Sequence, residues 1–191
     1  MTFWRWKAPA YSLLRRLPPS RQILAAEQKN VSLLLKQFPP SPGLHLDLGS
    51  GTGDSLHILP PEPKRIAVDA EIAMLKRNPS SWRIAARAEV LPFPDESFAF
   101  VSAIGLLEYI APIEKFFGEV RRVLRPGGIF LFTSSQPNMA NRLRWFWGDK
   151  LYLRAEEKIK MMLQENGWGL LGFNRSLLQE QWLAWREAFP V

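Results

Sequence analysis

The sequence predicts an α/β fold, a doubly wound, Rossmann-like, mostly parallel seven-stranded sheet with an antiparallel last strand and helices on both faces. Three observations carry that prediction. From residue 44 onward, short apolar runs alternate with stretches of helical periodicity. The first run ends in a glycine turn, LHLDLGSGTGDSL over Leu44–Leu56. The run Phe98–Ile104 is almost continuously apolar, as a strand buried on both faces must be.

Taken in order, the elements are these. Residues 1–40 form a basic and aromatic helical arm, interrupted by Pro9. Leu44–Leu48 is the first strand, and the glycine turn opens a short helix that Pro60 and Pro61 stop. Arg65–Asp69 is the second strand, followed by a helix through Glu71–Arg77 that ends before Pro79. Arg83–Ala86 is a weak third strand, LPFPDES a turn-rich loop, and Phe98–Ile104 the fourth strand. Pro112 suits the first turn of a helix whose Ile113, Phe116, Phe117, Val120, Val123 and Leu124 share one face. RPGG closes that helix and Ile129–Thr133 is the fifth strand. Glu156–Asn166 is a further helix, and Trp168–Phe173 and Gln181–Phe189 complete the sheet as an antiparallel hairpin, although LLQEQWLAWREAF also fits a helix.

Length and composition fit one domain: 1–40 the arm, 41–135 a cofactor-binding core, 136–155 a lid-like insertion, 156–191 the C-terminal helix and strands. No apolar stretch reaches the ~18 residues of a membrane span, and the basic start lacks the apolar core of a signal peptide, so the expected location is cytoplasmic. The absence of cysteine agrees with that compartment and excludes disulfide frameworks, zinc ribbons and thiol catalysis. The net charge of +7 is uneven: seven Lys or Arg face one acid in residues 1–40, whereas residues 41–136 carry a net −1. The core is therefore not adapted to a polyanion, while the arm suits anionic lipid, nucleic acid or an acidic protein.

In a doubly wound sheet, ligands bind beyond the carboxyl ends of the strands at the switch point, which places Gly49–Gly53 at a site. A dinucleotide fingerprint is G-x-G-x-x-G. Here the spacing is G-x-G-x-G, and Asp54 occupies the place of the last glycine, an anion beside a pyrophosphate seat. Twenty residues after Gly49, Asp69 ends the second strand where such folds hold ribose hydroxyls. Read separately, the glycines also fit a tight turn without ligand, and Asp69 a helix N-cap.

The series LHLDLGSGTG, IAVDAEIAMLKR, AEVLPFPDESFAFV, LLEYI and EVRRVLRPGGIFLF resembles the class I S-adenosylmethionine-dependent methyltransferases, in the small-molecule branch with the ubiquinone and menaquinone methyltransferases. The resemblance runs from about Gly43 to Thr133. It implies S-adenosylmethionine as cofactor and S-adenosylhomocysteine as product, held without any phosphate seat. Asp47, Gly49, Ser50 and Gly51 then line the methionine end, Asp69 accepts from the ribose, and Ala70 and Met74 flank the adenine. Ala88 and Glu89 fall at the adenine edge, and Ile104 lies near the methyl group.

Two positions depart from the family pattern: Arg87 stands where an acid commonly faces the adenine amino group, and Ala99 where the fourth strand often carries Asp. Methyl transfer itself forces no catalytic residue, because the sulfonium is already electrophilic and a base is needed only if the acceptor must lose a proton. Glu108 and Tyr109, after the fourth strand, are the acid/base candidates; His45 reads as a core histidine and His57 as a surface one. No metal-ligand cluster stands out. Outside the shared core, the arm (Trp4, Arg5, Trp6, Lys7) and the insertion (Arg142, Arg144, Trp145, Phe146, Trp147) combine aromatic and basic residues. They suit a small, lipophilic acceptor of quinone, isoprenoid or phospholipid type, with residues 1–21 touching an anionic membrane peripherally. Two other readings stay open. A nucleic-acid methyltransferase fits the arm, although SAIGLLEY lacks the Asn/Asp-Pro-Pro-Tyr pattern of amino-directed enzymes. A non-catalytic, cofactor-binding regulator fits Arg87 and Ala99.

Overall fold

The computed structural model describes residues 18, 20–61, 65–144 and 151–188. Its strands are β1 (His45–Leu48), β2 (Arg65–Asp69), β3 (Trp82–Ala85), β4 (Phe98–Ala103), β5 (Leu124–Ser135), β6 (Trp168–Arg175) and β7 (Gln179–Arg186). They form one seven-stranded sheet in the order β3-β2-β1-β4-β5-β7-β6. Strands β1 to β5 pair in parallel, and β7 runs antiparallel to both neighbours. The fold expected from the apolar alternation is the fold observed, and QEQWLAWR is a strand rather than a helix.

Among the described residues the helices are α1 (Ser20–Gln37), α2 (Ile72–Leu75), α3 (Ile113–Val123), α4 (Met139–Arg144) and α5 (Glu156–Glu165). The period of two along β5 separates two layers. Phe130 and Phe132 point to Phe116, Phe117 and Val120 of α3 and Ile159 of α5, while Ile129 and Leu131 point to Val31 and Leu34 of α1. Both faces are therefore covered, which is why β4 is buried along its whole length. On the α3 side, Phe117 meets Phe130, Phe132 and Trp168 edge to face, at centroid distances of 5.3–6.3 Å.

Three local expectations need correction. The helix expected after the glycine turn is a single 3-10 turn, Leu56–Ile58, because Pro60 follows before a second turn can close. RPGG does not end the α3 helix; the chain turns extended at Leu124 and RPGG bulges within β5, shifting its register against β4 between Phe98 and Phe100. The helix after β2 shrinks to Ile72–Leu75, with Glu71 as its N-cap, accepting from Ala73 N–H at 3.3 Å. The aromatic segment of the arm and residues Trp145, Phe146 and Trp147 of the insertion lie outside the described residues.

Candidate cofactor site

The order of the strands reverses between β1 and β4, so the loops leaving their carboxyl ends part and leave a cleft. On one side is the glycine turn. Gly49, Gly51 and Gly53 take φ of 65, 51 and 86°, conformations that side-chain-bearing residues rarely adopt. A Cβ on Gly49 would lie 2.8 Å from the Leu106 side chain, so the turn and the loop after β4 are in van der Waals contact only because that atom is missing. Ser50 N–H reaches Val68 O of β2 at 3.0 Å, and Asn78, 1% exposed, donates to Ser50 O and Gly51 O from the loop behind. Asn78 carries no sequence signature, because its role depends on a contact 27 residues away.

Asp69 fixes the second side. One carboxylate oxygen accepts from Gly51 N–H and the other from Glu71 N–H, each at 2.8 Å. It therefore ties the glycine turn to the end of β2. Burial pushes its pKa up, against the pull of these two hydrogen bonds. Each oxygen keeps a second lone pair with which to accept a further hydroxyl.

The cleft encloses about 300 Å³, and Gly49, Ser50, Gly51, Asp69, Ala70, Met74, Ala88, Glu89, Ile104 and Tyr109 all line it. Thus residues from four separate sequence segments line one cleft. Thr52, Asp54, Glu71, Arg87, Leu106 and Ile110 join them without having been singled out for binding. Arg87 donates to the Glu89 carboxylate at 2.8 Å, so the departure from the family pattern is paired within the wall. Ala99 is not on the wall. It is 2% exposed, and a Cβ on Gly43 would fall 2.5 Å from its own, so the two positions pack together only because Gly43 has no side chain.

Asp47 and Glu108 do not line the cleft. Side chains of a strand stand perpendicular to it, and the register sets Asp47 directly beside Ser102 of β4. Ser102 Oγ donates to the Asp47 carboxylate at 2.6 Å and lies 2.9 Å from His45 Nε2, with His45 and Asp47 each 4% exposed. Desolvation raises the Asp47 pKa to about 6 and lowers that of His45 to about 3. His45 is thus neutral at pH 7, and the chain of donors places its proton on Nε2. The triplet resembles a hydrolase triad in composition alone, since the serine sits between its partners and all three are buried. Glu108, 1% exposed, accepts from Gln179 Nε2 at 3.2 Å behind the wall, leaving Tyr109 as the acid/base candidate that faces the cleft.

These residues fit a sulfonium nucleoside better than a dinucleotide. The glycine turn gives backbone approach, Asp69 gives ribose acceptors, Met74, Ala70 and Ala88 give apolar contact, and Asp54 on the wall opposes a pyrophosphate. Residues 46–132 match the methyltransferase domain family. That segment is a methyltransferase domain. The cofactor of this domain class is S-adenosylmethionine.

Among relatives, the chain is 34% identical over 132 residues to a demethylmenaquinone methyltransferase of Thermus thermophilus, covering 63% of this chain and 59% of that protein. It is 28% identical over 141 residues to a malonyl-[acyl-carrier protein] O-methyltransferase of Halorhodospira halophila, covering 67% of this chain and 48% of that one. The chain therefore spans about half the length of these relatives. In structure it is similar to the magnesium protoporphyrin IX methyltransferase of Synechocystis solved with bound S-adenosylhomocysteine: TM-score 0.72, 12% identity, 95% of this chain and 96% of that one. At that identity the likeness speaks for the fold.

Proposed function

We propose that this protein transfers the methyl group of S-adenosylmethionine to a small, lipophilic acceptor of quinone, isoprenoid or phospholipid type. The observation that carries the reading is the cleft itself, in which the glycine turn, Asp69, Met74 and Ile104 meet at the switch point of the sheet. The cofactor, when bound, supplies an electrophilic methyl group on sulfur. Gly49–Gly51 admit its amino-acid portion to within backbone contact, and Asp69 orients it by accepting from its ribose while anchored to the turn. Ala70, Met74 and Ala88 hold the adenine by apolar contact, and Glu89, steadied by Arg87, presents a carboxylate at its edge. Ile104, Leu106, Tyr109 and Ile110 close the other side of the cleft and exclude water from the transfer. Positioning supplies most of the acceleration, and Tyr109, on the cleft wall, is the acid/base candidate for an acceptor that must lose a proton.

Similarity to a quinone methyltransferase supports a lipophilic acceptor. The aromatic and basic arm supports delivery at an anionic membrane surface, and among the described residues no helix is long and apolar enough to cross a membrane. Incubating the full chain with methyl-labelled cofactor and, in parallel, fractionated lipid extract or total RNA tests the acceptor. Label is expected in the quinone, isoprenoid or phospholipid fraction; label in RNA alone would replace this reading by the nucleic-acid one.

A further inference from the structure

The insertion after β5 returns to the fold through a buried guanidinium. Arg154 is 8% exposed, and its Nη1 donates to Leu107 O at 2.8 Å and Tyr152 O at 3.0 Å, while Nη2 donates to Ile110 O. Leu107 opens the 3-10 turn Leu107–Tyr109 and Ile110 closes it, between Leu106 and Ile110 of the cleft wall. Two backbone bonds reinforce the seam: Tyr152 N–H to Glu108 O at 2.7 Å and Arg154 N–H to Ser135 O at 3.1 Å. The other end of the insertion is anchored elsewhere, by Asn138 to Leu177 O and Asn141 to Leu178 O in the turn between β6 and β7.

Burying a guanidinium is costly, and an apolar residue would fill the same space without that cost. What the guanidinium alone supplies is a rigid fork that reaches the carbonyls of two separate segments at once. Leu107 O also accepts from Ile110 N–H at 3.2 Å, which closes the turn, whereas Ile110 O, at its end, has no partner within it. The fork therefore grips the turn at both ends and supplies a partner to its terminal carbonyl.

We propose that Arg154 is a positioning residue for the cofactor cleft, coupling the wall Leu106–Ile110 to residues 151–155. This rests on the cleft holding the cofactor. Ligand in the cleft then stiffens residues 151–155, and their contacts in turn tighten the cleft, because coupling between two sites is reciprocal.

Hydrogen–deuterium exchange of the full chain with and without S-adenosylhomocysteine tests it. In the wild type, ligand should slow exchange about threefold or more both at the glycine turn and at residues 151–155. In Arg154→Met the turn should stay protected, protection of 151–155 should vanish, and the dissociation constant should rise about tenfold. Arg154→Lys, which reaches fewer carbonyls, should fall between the two and serves if the methionine variant does not fold. Protection confined to the glycine turn in the wild type would overturn the inference, as would Arg154→Met keeping both the distal protection and the wild-type affinity. If ligand protects neither region, the cofactor reading itself falls and takes this inference with it.

Discussion

Asp69 ends β2 and Asp47 sits one residue before the end of β1, yet the two carboxylates have different surroundings. Asp69 leaves the strand at the cleft and bonds two backbone N–H groups, so it serves both the turn and the ligand. Asp69→Asn retains the shape but brings an amide N–H against one of those donors and loses acceptor capacity towards the ribose. Binding of S-adenosylhomocysteine should weaken by about 1.5–3 kcal/mol, the scale of hydrogen bonds to a charged group. Calorimetry reads this directly, and an unchanged dissociation constant would remove Asp69 from the site. Asp69→Ala should additionally lower the melting temperature, because the turn loses its tie to β2. Asp47, by contrast, is a pH-dependent burden. Its folded pKa of about 6 lies above the ordinary carboxylate value, so its contribution to stability is full below about pH 4 and is lost as pH rises through 6. Asp47→Asn removes that loss while still accepting from Ser102. Relative to the variant, the wild type should therefore lose about 3 kcal/mol between pH 4 and 7. His45 works in the opposite sense, its contribution present above about 6.5 and lost on acidification, but it is common to both proteins. Denaturant melts at several pH values check the difference; a gap that does not change with pH contradicts the account.

At the scale of elements, α3 shows what the apolar stripe accomplishes. Phe117 is 1% exposed among Phe116, Phe130, Phe132 and Trp168, aromatic partners drawn from one helix and two strands. Phe117→Ala should cost about 3–5 kcal/mol and lower the melting temperature by about 10 °C. A loss under about 1 kcal/mol would mean that the layer of α3 is not the core it is taken to be. This element was legible because its signal is local: six apolar residues at helical spacing behind a proline. The same holds for β2, whose observed bounds Arg65–Asp69 coincide with the reading of RIAVD, and for the glycine turn. Where sequence reasoning failed, the deciding contact was distant or the backbone irregular. Asp47 lies in the glycine motif, but the register against β4 turns it to Ser102, 55 residues away. RPGG has the composition of a turn, yet pairing with β4 draws it into a bulged strand. Asn78 and Arg154 act on backbone atoms 27 to 47 residues away, and nothing in their neighbours marks them.

For the molecule as a whole, charge and chemistry are separated along the chain. Residues 1–40 carry most of the net charge, whereas the cleft is lined by acids and apolar groups with Arg87 neutralised by Glu89. A basic residue near an anionic surface contributes about 1 kcal/mol, so Arg5, Lys7, Arg15, Arg16 and Arg21 together suffice to hold the protein at such a bilayer. The full chain should sediment with anionic vesicles at low ionic strength, dissociate at roughly half-molar salt, and stay in solution once residues 1–21 are deleted. Equal sedimentation of whole and truncated proteins would exclude the arm as the membrane contact. The cleft lies outside the deleted segment, so cofactor binding should survive. That binding is the claim on which the rest stands, and titration calorimetry of the purified chain with S-adenosylhomocysteine measures it most directly. Saturable one-to-one binding, weakened by Asp69→Asn, is the predicted result; no heat of binding at millimolar ligand by a folded protein would contradict it.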